Sequence, residues 1–255
     1  MDLGIRGKVA LVTGASSGIG EAVALGLARE GARLAVSARR RELLDDLARR
    51  AKAEGAQDAF ACPSDQRDAE SLRALVREVE TRLGEVEILI VNGGGPKPGR
   101  YSEVSAEDWD QAYAGTMRSA LTLVSAVLPG MRRRRWGRII ALESVSVKQP
   151  IPTLVLSNAF RTGVVAALKT LSAEVAPEGI TVNSIATGLV ETDRFRAIYA
   201  TPEAKQQAVA RIPLGRPASP AEFAPVVVFL CGEPARYLTG QTLSIDGGLT
   251  AGLFG

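Results

Sequence analysis

The sequence predicts an α/β fold in which a doubly wound, seven-stranded parallel sheet lies between two helix layers. Three observations carry that prediction. Short apolar runs alternate with longer stretches of helical period along the chain, as in successive βαβ units. The runs are apolar at nearly every position rather than at every second one, which calls for burial on both faces of a sheet. A glycine-rich turn follows the first run and opens directly into a helical stretch, as a strand-to-helix connection requires. At 255 residues, one large domain spanning 1–255 is the expectation.

The first strand is "KVALVT" (8–13), followed by helical period over 18–30. "RLAVSA" (33–38) and a helix over 41–54 come next, then "AFAC" (59–62) and a helix over 68–83. "EILIVN" (87–92) precedes one long predicted helix, 106–130, and "RIIAL" (138–142) precedes another, 154–176. "TVNSIA" (181–186), a helix over 219–232 and "TLSI" (242–245) complete the set, with Gly or Pro at the joints. The stretch 191–212 reads as a substrate lid without a clear chemical signature. Ligands of such folds bind at the carboxyl ends of the strands, so the loops just after each strand carry the candidate site.

Composition excludes several classes. Histidine is absent, which removes every His-based base, triad and metal site. The two cysteines, Cys62 and Cys231, have no ligand spacing and suggest no disulfide framework. A net charge of +3 is too small to imply a nucleic-acid or membrane surface. No run approaches bilayer-spanning length and the amino terminus reads as a first strand, so the expectation is a cytoplasmic protein. The one dense basic run, Arg132–Arg135, has two open readings: cations closing a helix against its dipole, or a docking patch for an acidic partner.

After the first strand, "TGASSGIG" sets Gly14, Gly18 and Gly20 around Ser16, Ser17 and Ile19. Glycines there let the backbone turn tightly and approach a pyrophosphate at a helix N-terminus; a tight turn with no ligand is the plain alternative. With these residues the chain resembles the short-chain dehydrogenase/reductase family, from about residue 7 to about 250. "VNGGG" (Asn92, Gly93, Gly94) is similar to the family's segment after the fourth strand, and Asp65 to its acidic residue near the adenine. "ITVNSIATGLVET" resembles the segment flanking the nicotinamide, with Thr187 in place of proline and Gly188, Val190 and Thr192 retained. The carboxyl-terminal pattern resembles that of reductases acting on 3-oxoacyl thioesters. The resemblance implies a Rossmann-type fold, a nicotinamide cofactor and a homotetramer, with the predicted helices 106–130 and 154–176 across one dimer interface and the tail "GLTAGLFG" near another. The second strand ends in Ser37, Ala38, Arg39 and Arg40. With no carboxylate there to meet a ribose hydroxyl, and Arg39 able to fork onto a 2′-phosphate, NADP(H) is expected over NAD(H).

The family's catalytic Ser corresponds to Ser144 in "ALESVSV". Thirteen residues on, where the family carries Tyr, stands Ser157, and its Lys position is Arg161; its Asn position is Thr116. An aliphatic hydroxyl is a far weaker acid than a phenol, and a guanidinium stays protonated and relays no proton. Arg161 retains the capacity to hold ribose hydroxyls or an oxyanion. Tyr101 and Tyr199 are candidate substitute acids or plain packing residues, and Ser157 and Arg161 are equally readable as inert. Two functions follow: an NADP(H)-dependent oxidoreductase reducing a carbonyl, 3-oxoacyl thioester-like or another ketone, through an altered site, or a catalytically weak or inactive NADP(H)-binding sensor or scaffold. Acyl carrier protein is a candidate partner through Arg135, although Glu178 stands where a second basic residue would be needed.

Overall fold

The computed structural model describes residues 1–253. Its centre is a seven-stranded, all-parallel sheet of order β3-β2-β1-β4-β5-β6-β7. The strands are β1 (Val9–Thr13), β2 (Arg33–Ser37), β3 (Asp58–Ala61), β4 (Ile88–Val91), β5 (Gly137–Ser144), β6 (Ile180–Thr187) and β7 (Thr242–Ile245). Alternate residues of each inner strand feed two separate cores. Ala10 and Val12 pack with α1 (Gly18–Arg29), α2 (Arg41–Ala53) and α9 (Pro220–Leu230). Val9 and Leu11 pack with α3 (Ala69–Leu83), α5 (Ser119–Arg134) and α6 (Val155–Val175). Burial on both faces explains why the strands read as continuous apolar runs. The tail residues Phe254 and Gly255, part of an expected oligomer contact, lie outside the described residues.

Local chemistry sets the helix starts. Asp68 accepts from the Glu70 amide to begin α3, and Ser219 with Glu222 forms a capping box on α9. The basic run forms the last turn of α5, which stops where Arg135 adopts a left-handed φ of 51°, so the helix-closing reading of Arg132–Arg135 stands.

One expectation is corrected and another is extended. The helix read as 106–130 is three pieces: α4 (Ala106–Ala112), a π-helical segment (Tyr113–Arg118) and α5. Gly115 lies within the π segment, and the Ser119 hydroxyl donates to the carbonyls of Gly115 and Thr116 (both 3.0 Å), the side-chain insertion that loosens a helical ladder. The lid expected over 191–212, for which no helix was proposed, carries α7 (Asp193–Ile198) and α8 (Pro202–Val209), started by Thr192 and Thr201.

Candidate active site

The strand order reverses between β1 and β4, and the loops after these two strands are joined there. Asn92 donates its side-chain amide to the Gly14 carbonyl (3.1 Å), while the Thr13 hydroxyl donates to the Asn92 carbonyl (2.8 Å) and accepts from its amide (3.0 Å). Gln66 adds a bond to the Asn92 carbonyl (2.6 Å). These bonds close the crevice between the two loops and fix its floor.

The glycine turn fits a phosphate chain. Gly14 and Gly18 adopt φ of 58° and 64°. A Cβ on Gly14 would fall 2.7 Å from the Asn92 carbonyl oxygen, and one on Gly20 2.7 Å from the Asn92 amide nitrogen, so no other residue leaves this backbone in place. Ser17 caps α1 without a side-chain hydrogen bond, which leaves the first-turn N–H groups free for an anion. The surrounding groove is about 550 Å³ and is lined by Gly14, Ser16, Ser17, Arg39, Arg40 and Asp65 among others. Arg40 donates to the hydroxyls of Ser16 (3.0 Å) and Ser17 (3.2 Å), so two guanidiniums, not Arg39 alone, stand at the end of β2. Asp65 accepts from the Arg67 amide (2.9 Å), which is the first cause holding its carboxyl below the usual range.

A second cleft of about 620 Å³ continues from this groove. Ile19, Asn92, Gly93, Gly95, Thr192 and Arg194 line both. Gly188 and Val190, also in its wall, sit between the end of β6 and the lid. Gly94 borders the groove and the small inner cavity beside it, not the second cleft. The eight-residue pairing of β5 with β6 sets Ser144 beside Thr187 at the cleft floor. Ser144 Oγ accepts from the Ser146 amide (3.1 Å), and Ser146 Oγ lies 3.4 Å from Ser157 Oγ. Sequence reasoning passed over Ser146, which links the two predicted serines.

Arg161 is not free. Its Nη1 donates to the Glu143 carboxylate (2.8 Å) and the Leu142 carbonyl (3.0 Å). The side chains of Arg161 and Glu143 are 11% and 4% exposed. Burial pushes the Glu143 carboxyl up, and Arg161 opposes that shift by charge and hydrogen bond. Glu143 was also passed over, although a carboxylate within a buried strand run is the signal that could have found it. Thr116 does not join Ser144 and Ser157 in the larger cleft. It lines the groove and a small inner cavity shared with Glu143 and Arg161. Tyr199 lines the larger cleft, whereas Tyr101 is 77% exposed and stacks edge-on with Trp109.

A parallel sheet whose order turns back beside a glycine-rich strand-to-helix turn, with hydroxyls at the ends of its later strands, defines a Rossmann-type nucleotide-binding protein. A profile described as Enoyl-(Acyl carrier protein) reductase matches residues 14–250. The chain belongs to the short-chain dehydrogenase/reductase family. It is 34% identical over 243 residues to a 3-oxoacyl-[acyl-carrier-protein] reductase of Staphylococcus aureus, covering 95% of this chain and 98% of the relative. Among solved structures, L-sorbose reductase from Gluconobacter frateurii, complexed with NADPH and L-sorbose, superposes with a TM-score of 0.94 at 33% identity, covering 99% of this chain and 100% of the other. An actinorhodin polyketide ketoreductase with NADPH gives 0.91 at 35% identity, covering 96% and 98%.

Proposed function

We propose that this protein is an NADP(H)-dependent reductase of a small carbonyl compound, working through an altered set of catalytic groups. The observation that carries the reading is the continuity of the two clefts, which runs from the glycine turn to Ser144 and Ser157. Gly14, Ser16, Ser17, Gly18, Ile19 and Gly20 would hold the diphosphate, with Asn92, Gly93, Gly94, Gly188, Val190 and Thr192 along the rest of the dinucleotide. Asp65 would border the adenine. Arg39 and Arg40 would grip a 2′-phosphate, and no carboxylate at the end of β2 competes for it. The cofactor, when bound, supplies hydride.

The protein's own groups orient the carbonyl and receive its developing charge. Ser144 accepts from the Ser146 amide, which leaves its O–H to donate to a carbonyl oxygen. Ser157, beside Ser146, offers a second hydroxyl. Arg161 is fixed by Glu143, and its remaining N–H groups stabilise an oxyanion or hold ribose hydroxyls. Thr116 contributes from the inner cavity. The proton comes from water through the serine hydroxyls, since no phenol stands at position 157. General acid help is worth about 10² to 10⁴ in rate, so turnover is expected to be slow unless the substrate is activated.

A free small molecule suits the site better than a carrier-bound one. Arg132 is paired with Glu174 and Glu178, and Arg133 and Arg134 with Glu85. Arg135 donates to the Pro177 carbonyl. The basic run is thereby largely spent within the molecule, and the reading places it in the cytoplasm as one domain over 1–255, assembled as a homotetramer.

The sensor reading draws on one observation: Glu143 pairs with Arg161, leaving no uncompensated cation one turn from Ser157 to stabilise an oxyanion. NADPH consumption across 3-oxoacyl thioesters, diketones and keto sugars separates the two. Oxidation of NADPH with any of them supports the reductase, while tight NADPH binding with no consumption supports the sensor.

A further inference from the structure

The substrate half of the cleft carries more positive charge than its own residues balance. Arg161, Arg194 and Arg211 line it against one carboxylate, Glu143, and that carboxylate is spent on Arg161. Arg194, on α7, donates only to neutral oxygens, the carbonyls of Gly95 (3.2 Å) and Pro96 (3.1 Å). Its side chain remains exposed to solvent. The lid carboxylates beside it in sequence are taken, Glu191 by Lys205 (3.1 Å) and Asp193 by Arg196 (2.8 Å). Arg211, which follows α8, lines the same cleft, and neither Arg194 nor Arg211 enters an ion pair among the described residues. Otherwise the wall is largely apolar, with Ile151, Leu154, Leu189, Phe195, Ile198 and Leu249.

We propose that this half of the cleft binds an anionic carbonyl compound, its apolar body against these side chains, its acid group held by Arg194 and Arg211 beneath the lid, and its carbonyl toward Ser144 and Ser157. Arg194 and Arg211 are exposed along their side chains and neither is engaged by a carboxylate among the described residues, so an anion entering the cleft gains charge-assisted hydrogen bonds without first displacing an ion pair. An apolar wall with few charged groups orients such a ligand rather than merely attracting it. The inference rests on the reductase reading for the position of the carbonyl; the acid-binding subsite stands on the lid and cleft residues alone.

Either a carboxylate or a phosphate ester satisfies this chemistry, so the test uses both. Calorimetry is run on the protein with and without saturating NADPH, using 3-oxooctanoate against its methyl ester and dihydroxyacetone phosphate against dihydroxyacetone. At least one acid is expected to bind about tenfold or more tighter than its neutral partner, in line with hydrogen bonds to charged groups, and the favoured pair identifies the acid type. That advantage is expected to disappear in Arg194→Gln/Arg211→Gln, while Arg211→Gln alone leaves NADPH affinity within about twofold, since Arg211 lies outside the dinucleotide groove. Equal binding of acid and neutral partner in both pairs overturns the proposal without variants or turnover. An advantage that survives the double substitution overturns the assignment, as does an Arg194→Gln variant that loses NADPH but keeps the advantage, which would give Arg194 to the cofactor diphosphate. Failure of NADPH to bind, with acid preference intact, overturns the reductase reading instead.

Discussion

Glu143 and Arg161 form one unit at the point where the sequence departs most from its family. Removing one partner of a buried pair leaves an uncompensated charge, so Glu143→Ala is expected to lower unfolding stability by about 3–5 kcal/mol in denaturant titration. Glu143→Gln, which still accepts from Arg161, is expected to lose less. The folded protein holds the Glu143 proton more tightly than the unfolded chain, because burial raises this carboxyl. Its contribution is present below the ordinary carboxyl value and lost as pH rises through the raised one. As pH rises above the ordinary carboxyl value, wild-type thermal midpoints are therefore expected to fall relative to those of Glu143→Gln; parallel curves would contradict the assignment. The pair also changes what restoring the family residues requires. Ser157→Tyr with Arg161→Lys leaves Glu143 facing a shorter cation, so a decade or more of added reductase activity is expected only when Glu143→Ser is included. The strand expected over 138–142 extends over Gly137–Ser144, its last residues paired with β6 and Glu143 held by Arg161.

At the scale of elements, the regular parts were legible and the irregular parts were not. The turn between β1 and α1 was readable because its spacing admits few residue types, and the close approach of Gly20 to Asn92 shows why. Gly20→Ala is expected to abolish NADPH binding in a fluorescence titration, and any variant that retains wild-type affinity would contradict the cradle. The π-helical segment was invisible because periodicity records where side chains point, not that Ser119 bonds back to two carbonyls. The lid helices α7 and α8 are too short, at six and eight residues, for a hydrophobic period to declare itself. The carboxyl-terminal helix α9, expected over 219–232, forms over Pro220–Leu230, opened by a capping box of Ser219 and Glu222 that the sequence reading did not single out.

At the scale of the molecule, two cores on either face of one sheet account for the composition and bury both cysteines. Burial pushes the Cys62 and Cys231 thiols up to about 12, so neither is expected to react with a thiol reagent at mild pH until the chain unfolds. Among the described residues no helix is long and apolar enough to cross a membrane. The seven-stranded parallel sheet was foreshadowed by the alternation of runs and helices, whereas the pairing of charges in the cleft, spread over β5, α6 and the lid, is a property of the folded chain alone. The central claim is that the glycine turn and the two arginines that follow β2, Arg39 and Arg40, together hold NADP(H). Titration of the purified protein with NADPH and NADH tests it most directly: the account predicts saturable NADPH binding at least about tenfold tighter than NADH, and no binding of either at about millimolar levels, or tighter binding of NADH, would contradict it.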